Sequence, residues 1–403
     1  MSNTLLSPTV ITKAALAILH NRTGIARNCN RTYESRFGTP KIGTSLSIRL
    51  PNQFKVTDGP GLSVQDVTEQ SVPIVVDTQK HVDFAFLTSE LTLTLDEFAD
   101  RYIRPAVARL ASEMDKDLGT LYTGIYNAVG TPGTTPNAPS FFTDAQNKLD
   151  DNAAPNDGNR AAVLNPAAHW SMMAAMPNTA LLGFNRAAAE RMGNEGEFLR
   201  DFFGLMMDRS HSIPSHTVGL WDTGSTGITN GAGQTGASLV TDGWAVSTAI
   251  LKKGDVFTIA AVFQVNPETK ISTGVLQQFV ATADVSSDGG GNATIPMSPS
   301  IVISGATQNV DAAAADGKAL VIKGTESAAY PQNLVMHRDA IALVNVPLEM
   351  PDGVDFKAQE QFEGFNLRVL RQYDINTDRV VCRIDGLWGK KLVRPELACR
   401  LFG

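Results

Sequence analysis

The sequence predicts an α+β protein with more than one packed unit: an extended hairpin, then a long helix, then a mixed body with a β-rich segment. Three observations carry this expectation. Apolar side chains alternate through Leu46, Ile48 and Leu50 and again through Val72, Ile74 and Val76, on either side of a Gly/Pro-rich bend. Residues 94–129 repeat apolar side chains at helical spacing, and from about residue 219 the composition turns poor in charge and rich in Gly, Thr and Ser. The 403 residues also exceed what one hydrophobic core usually serves.

In chain order, residues 4–20 fit one short helix. GTPKIGTSLSIRLPNQF reads as a turn and a strand, with QDVTEQSVPIVVD and HVDFAFLTSELTL as two further strands. Thr94 and Glu97 form a capping box, in which hydroxyl and carboxylate satisfy free amides at a helix start. Leu95, Phe98, Tyr102, Leu110, Met114, Leu118, Leu121, Ile125 and Val129 then line one face up to the stop at Gly130. About 35 helical residues would span roughly 50 Å. Pro105, which lacks an amide hydrogen, is expected to kink this strut.

Residues 131–218 read as mixed α/β: the strand AAVLN, the helix PAAHWSMMAAM and the helical AAAERM. The β-runs AVSTAIL, DVFTIAAVFQV, VLQQFVAT, ATIPM, SIVISG and ALVIKG imply a small barrel or sandwich. Val256, Thr258, Val262 and Val265, with Leu276 and Phe279, are its expected core. Longer strands return in NLVMHRDAIALVNVPL, FNLRVLRQYD and RVVCRIDGLWG.

The net charge of −7 conceals a split. Residues 1–55 carry eight basic side chains against Glu34 alone, a balance of +7 that leaves −14 elsewhere. Arg22, Arg27 and Arg31 in the basic arm and Asp58, Asp66 and Glu69 in the acidic stretch are candidate subunit-interface residues, since opposite charges guide encounter and register. An ordinary solvated surface accounts for the pattern equally well. Nucleic-acid contact is a third reading, weakened by sparse aromatics. No apolar run approaches the roughly 18–20 residues of a membrane helix. The amino terminus lacks a basic leader and cleavage site, so synthesis in the cytoplasm is expected. Cys29, Cys382 and Cys399 read as buried free thiols.

Chemical motifs fail on their spacing. Five residues separate Asp339 of His337-Arg338-Asp339 from Asn345, where a kinase catalytic loop has four, and no DFG follows. Asp284, Ser286, Asp288 and Gly289 open like a calcium loop, but its twelfth position is Ile295 rather than a bidentate Glu. Gly317-Lys318 lacks the other residues of a phosphate-binding loop. No catalytic, metal or cofactor site is expected.

The order of parts resembles the coat proteins with the Hong Kong 97-type capsid fold, in the short-tailed-phage branch that carries an inserted β-barrel domain. The resemblance rests on LKKGDVFTIAAVFQVNPETKISTGVLQQFVATAD, supported by EFADRYIRPAVARLASEMDKDLGTLYTGIYNAVGTPGTTP, NLVMHRDAIALV and RVVCRIDGLWGKKLVRPELACRL. The first 40 residues match least. The resemblance implies an N-terminal arm (1–44), an extended hairpin loop (45–93), a peripheral domain with a spine helix (94–137) and an axial domain (138–218). It further implies an inserted β-barrel (219–328) and return strands of the axial and peripheral domains (329–403). A major capsid protein of this kind is a structural protein, not an enzyme, and has no cofactor. Its implied partners are itself as pentamers and hexamers, a scaffolding protein, a portal protein, packaged double-stranded DNA and decoration proteins, with no membrane. It would reside in the virion capsid, and in the host cytoplasm during assembly. Expansion on packaging would bend at hinges such as Pro105. An encapsulin-like nanocompartment shell is the alternative, using a similar fold without DNA.

Overall fold

The computed structural model describes residues 23–34, 45–62, 64–65, 69–87, 102–175, 196, 201–221, 226–362 and 365–402. The chain divides into two compact units. The first comprises Met1–Ile48, Val72–Leu118 and Ile341–Val393; the second comprises Arg49–Ser71, Gly119–Ala340 and Arg394–Gly403. The expected helix at 4–20, the capping box Thr94/Glu97 and the helical AAAERM lie outside the described residues.

In the first unit, the strand Arg379–Leu392 organises a six-stranded sheet. One of its edges pairs antiparallel with Ser71–Leu87 along nearly its whole length. The other pairs with Phe365–Asp374 at one end and with Ile341–Val346 at the other. Ser45–Arg49 and Phe356–Phe362 are the outer strands. The run from Val72 to Phe86 alternates exposed with buried or half-buried without interruption. QDVTEQSVPIVVD and HVDFAFLTSELTL therefore contribute to one strand where two were expected, because no turn residue interrupts the period of two. The strand steps past a bulge at Gly389, where a Cβ would stand 2.4 Å from the Val75 carbonyl oxygen.

A charged centre ties three strands of this sheet. Asp385 is fully buried, and its carboxylate accepts from Arg368 Nε at 3.0 Å and Nη2 at 2.5 Å. Arg383 Nε (3.2 Å) and Gln79 Nε2 (3.1 Å) donate to the same carboxylate. The planar guanidinium matches the carboxylate in a two-pronged pair that satisfies an otherwise costly buried charge.

The spine helix, α1 (Arg104–Gly119), ends about ten residues before the periodicity predicts. Tyr102 and Ile103 lead into it in π-helical geometry, and Pro105 is its second residue. Val107, Leu110, Ala111, Met114 and Leu118 bury one face. After Gly119 the chain tightens into the 3-10 turn Thr120–Gly124, and Ala128–Val129 then pair in parallel with Arg400–Leu401. Tertiary strand pairing overrides helical spacing through Ile125 and Val129, which the sequence reading placed on the helix.

The second unit contains a sheet in the order Ala128–Val129, Ala398–Leu401, Asn333–His337, Arg160–Leu164, Leu205–Arg209 and Asp201–Phe202. Three of its strands (Arg160–Leu164, Asn333–His337 and Ala398–Leu401) are buried at every position, as in sheets covered on both faces. Helices α2 (Ser140–Asp151) and α3 (Pro166–Ala175) belong to the same unit. NLVMHRDAIALV is not one strand: the 3-10 turn Arg338–Ala340 divides it.

A further six-stranded sheet of this unit runs Leu320–Ile322, Val256–Val265, Ser272–Ala281, Ala293–Ile301, Gly236–Asp242 and Ile228–Thr229. Its two ends meet: Thr229 N donates to Lys318 O, Gly317 N to Thr229 O and Leu320 N to Gly227 O. Phe257 and Phe279 stack across strands with ring centroids 5.9 Å apart. Thr258 and Leu276, expected in the core, are only half-buried, whereas Phe257 and Ile259 are fully buried. A register shift after Thr258, with Ala261 at φ 67°, breaks the simple alternation. AVSTAIL is not a strand, because Ser247 turns at φ 52° and the Ser287 hydroxyl binds Ala245 O and Thr248 N. The core of this sheet also takes in Tyr126, Ala128 and Phe402, from outside residues 219–328.

Replacing Asp385 with Ala strands a largely buried Arg368 without its partner. The variant is expected to lose about 3–5 kcal/mol of stability, read as a lower denaturant midpoint at unchanged slope. A loss below about 1 kcal/mol, the value of an exposed pair, would contradict the role given to this pair.

Candidate assembly surfaces

The loop between Ser45–Arg49 and Ser71–Leu87 presents the least protected apolar surface among the described residues. It is closed at its base by Leu50 N to Gln70 O (2.8 Å) and further out by Lys55 N to the Gln65 side chain (2.9 Å). All of residues 51–62 are exposed. Phe54 (63%), Val56 (88%), Leu62 (93%) and Val64 (82%) stand in solvent. One such residue is ordinary; four on one short loop are not.

The root of the hairpin strand is fixed by charge. Lys80 Nζ lies 3.2 Å from Glu113 and 2.9 Å from Asp117 of α1, and Lys390 Nζ donates to the Asp117 carbonyl at 2.6 Å. Burial opposes ionisation of Glu113, but the hydrogen bond and charge of Lys80, aided by Arg109, hold its carboxyl below the ordinary value. Burial likewise opposes the Lys80 charge, and its two carboxylate partners outweigh it and raise its pKa.

Four of the six charged candidates fall among the described residues. Arg22 and Asp66 lie outside the described residues. Arg27 and Arg31 are half-buried rather than on a fully solvated arm, and Arg31 stacks over the Phe365 ring at 4.6 Å. Asp58 is exposed, and Glu69 pairs with Arg49 at 3.6 Å, both side chains open to solvent.

A buried relay marks the second unit. The Tyr122 hydroxyl is 3.0 Å from His216 Nδ1, and His216 Nε2 is 2.7 Å from Asp255 Oδ1. Asp255 Oδ2 accepts from the amides of Gly219 (3.0 Å) and Lys252 (2.7 Å). Arg400 lies over the Tyr122 ring and donates to Gly254 O. Its own pKa falls to about 10 through burial, and burial raises that of Tyr122. The constellation resembles a catalytic relay, but Asp255 and His216 are closed to solvent, so it holds the chain rather than meeting a substrate.

His337 of the HRD sequence is similarly structural. Its Nδ1 receives the Asp339 amide, and its Nε2 reaches Asp157 at 3.0 Å. Asp157 is lowered to about 2, chiefly by its hydrogen bond to Asn159 and further by His337. Asp288, from the calcium-like stretch, accepts from the Gly290 and Asn292 amides of its own turn. Among the described residues no group of three or more His, Cys, Asp or Glu side chains is placed to hold a metal ion. The three cysteines are buried free thiols, with burial pushing Cys382 up to about 11 and Cys399 up to about 12.

The residues missed in the sequence are those that tie elements together. Asp385 left a signal as a lone acid in the apolar strand RVVCRIDGLWG. Asp115 left one as an acid four residues from Ala111 on the buried stripe of α1. The loop residues were missed too, and left only a faint signal in the alternating apolar positions of PNQFKVTDGPGLSV.

The described residues thus form an α+β chain with a cluster of uncovered apolar side chains on one extended loop. The family model described as "P22 coat protein - gene protein 5" matches residues 2–403, and the chain belongs to that family. It is a tailed-bacteriophage major capsid protein that forms the virion shell, with a phage-capsid-like α+β fold, and the nanocompartment alternative is the less supported. No curated protein matches it. Among solved structures, a chain of Mycobacterium phage Che8 is 14% identical, with 94% of this chain and 90% of that one covered and a TM-score of 0.48. The capsid of cyanophage P-SCSP1u is 12% identical over 90% and 84%, with a TM-score of 0.43. The CUS-3 coat protein I-domain is 26% identical over 25% of this chain and 96% of its own, with a TM-score of 0.19.

Because Glu113 binds a proton less readily when folded, the Lys80 contact contributes stability above its ordinary value of 4.5 and loses it as pH falls through the lower folded value. Glu113→Gln is expected to cost about 0.5–1 kcal/mol at pH 7, discounted for partial exposure. It should also flatten stability against pH below about 4.5. Parallel curves for variant and wild type would contradict the contact.

Proposed function

We propose that the subunit builds its shell by laying residues 50–70 across a neighbouring copy, in pentamers and hexamers. One observation carries this: Phe54, Val56, Leu62 and Val64 are exposed together on a loop tied at its base by Leu50 to Gln70 and further out by Lys55 to Gln65. Burying one such side chain is worth about 1.5–3 kcal/mol. Each copy both gives and receives a loop, so modest contacts are multiplied around a closed ring.

The segment 219–328 is read as an inserted β-barrel, a reading supported by the hydrogen bonds that join the two ends of its sheet. The remaining divisions follow the arm, hairpin, peripheral and axial pattern given above. The arm and the acidic hairpin are read as meeting between subunits through Arg22, Arg27 and Arg31 with Asp58, Asp66 and Glu69. A scaffolding protein, a portal, packaged double-stranded DNA and decoration proteins are its further partners. The subunit is made in the host cytoplasm and has no enzymatic role.

Electron microscopy of the purified chain, with and without a scaffold, is expected to show closed shells, or rings and sheets of pentamers and hexamers. Replacing Phe54, Val56, Leu62 and Val64 with Ser should leave the circular dichroism unchanged and abolish these assemblies. A wild-type protein that stays a monodisperse monomer at high concentration, phage partners included, would overturn the proposal. Charge pairing has its own test. Arg22→Glu with Arg27→Glu should slow assembly at low salt, and Asp58→Lys with Asp66→Lys should partly restore it. A folded double-reversal variant without rescue refutes the pairing.

A further inference from the structure

We infer that residues 23–34 are a fixed strap binding the spine helix to the main sheet. Any re-aiming or proteolytic trimming of the amino-terminal arm then stops upstream of Thr23.

The strap is held first by a buried carboxylate. Asp115 of α1 is almost wholly inaccessible, and it accepts backbone hydrogen bonds from Gly24 (2.6 Å), Ile25 (3.3 Å) and Ala26 (3.0 Å). Three amides converging on one ionised group make a strong, directional anchor, because a carboxylate taken from water needs donors on both oxygens. The Asn28 side chain closes the turn by donating to Gly24 O at 2.9 Å.

Burial holds it second. Ile25, Ala26 and Cys29 are completely buried, and Thr23 and Asn28 nearly so. Lifting this segment would open a cavity in the first unit and expose apolar surface.

The far end is sewn to the sheet. Asn30 N donates to Ile341 O at 2.9 Å, and Leu343 N donates to Asn30 O at 3.0 Å, so Asn30 forms a parallel bridge with Ala342. One residue later, Arg31 stacks on Phe365 of a neighbouring strand. Within twelve residues the chain has therefore engaged α1, the strand Ile341–Val346 and the strand Phe365–Asp374. A segment tied at three places moves with the elements it ties. Movement of the arm during assembly or shell expansion must pivot before Thr23, and proteolytic trimming of the arm on the folded subunit must end before it. This inference does not depend on the charge pairing proposed above.

Hydrogen exchange and limited trypsin digestion of the full-length subunit test it. Peptides covering residues 23–34 should be protected to the level of the strand Arg379–Leu392, and trypsin should spare Arg27 and Arg31. Asp115→Asn points an amide donor at backbone donors. It should speed exchange in residues 23–34 at least about tenfold and open cleavage after Arg27 and Arg31, with Arg379–Leu392 still protected. Glu113→Gln, on the same helix, should leave the strap unchanged. If Asp115→Asn does not fold, the wild-type map decides alone. Rapid exchange across 23–34, or cleavage after Arg27 in the folded wild-type protein, overturns the inference. An Asp115→Asn subunit that folds and matches wild type overturns the part given to Asp115.

Discussion

Asp385 is the charge around which the first unit is built. A carboxylate at the centre of a sheet is tolerable only when strong donors surround it, and Arg368, Arg383 and Gln79 converge there from three adjacent strands. The pairing helps fix the register of Arg379–Leu392 against both neighbours. A slip of one residue would turn Asp385 to the opposite face and bring the apolar set with it. Because Ser71–Leu87 is one of those neighbours, the same constraint fixes the strand that leads out of the extended loop. Lys80, Glu113 and Asp117 add a second attachment between that strand and the spine helix.

The proposed contact between copies draws on the loop beyond these attachments. Beyond the hydrogen bonds at its base, residues 51–62 are exposed and carry apolar side chains that their own subunit leaves in water. In the assembly proposed above, a closed array of copies would gain at every junction what a lone subunit does not. The rest of the second unit, Gly119–Ala340 and Arg394–Gly403, follows the opposite rule. Its central strands are wholly buried, and its polar side chains are spent on internal ties, as in the pairing of Gln278 with both the amide and the carbonyl of Ala128. Lys148 and Lys323 illustrate the cost: burial lowers the pKa of each, and Gln264 and the Ala128 carbonyl serve as their acceptors.

Much of this was legible in the sequence wherever one face of a regular element meets solvent. The alternation through Ile48, Ile74 and Val76 and the stripe through Leu110, Met114 and Leu118 are simple periods, and the buried residues follow them. The reading failed where a distant partner decides. Ile125 and Val129 sit at helical spacing, yet Arg400 and Leu401 draw the neighbouring backbone into a parallel pair. Thr258 yields to Phe257 because a bulge rotates the strand beyond it, which no period of two can signal. For the assembly surface, the charged residues attracted notice and the apolar loop residues did not. Charge clusters are conspicuous in a sequence, but Phe54 and Val56 become notable only once the structure leaves them uncovered. Asp115 was missed for the converse reason: an acid on an apolar stripe reads as an interruption until the amides it binds are seen.

The central claim is that the apolar loop is completed by another copy of the chain, and a cryo-electron microscopy map of the assembled particle tests it most directly. The account predicts residues 50–70 ordered across an adjacent subunit, with Phe54, Val56, Leu62 and Val64 buried in that contact. A shell in which the loop folds back on its own subunit, or leaves those four side chains in solvent, would contradict it.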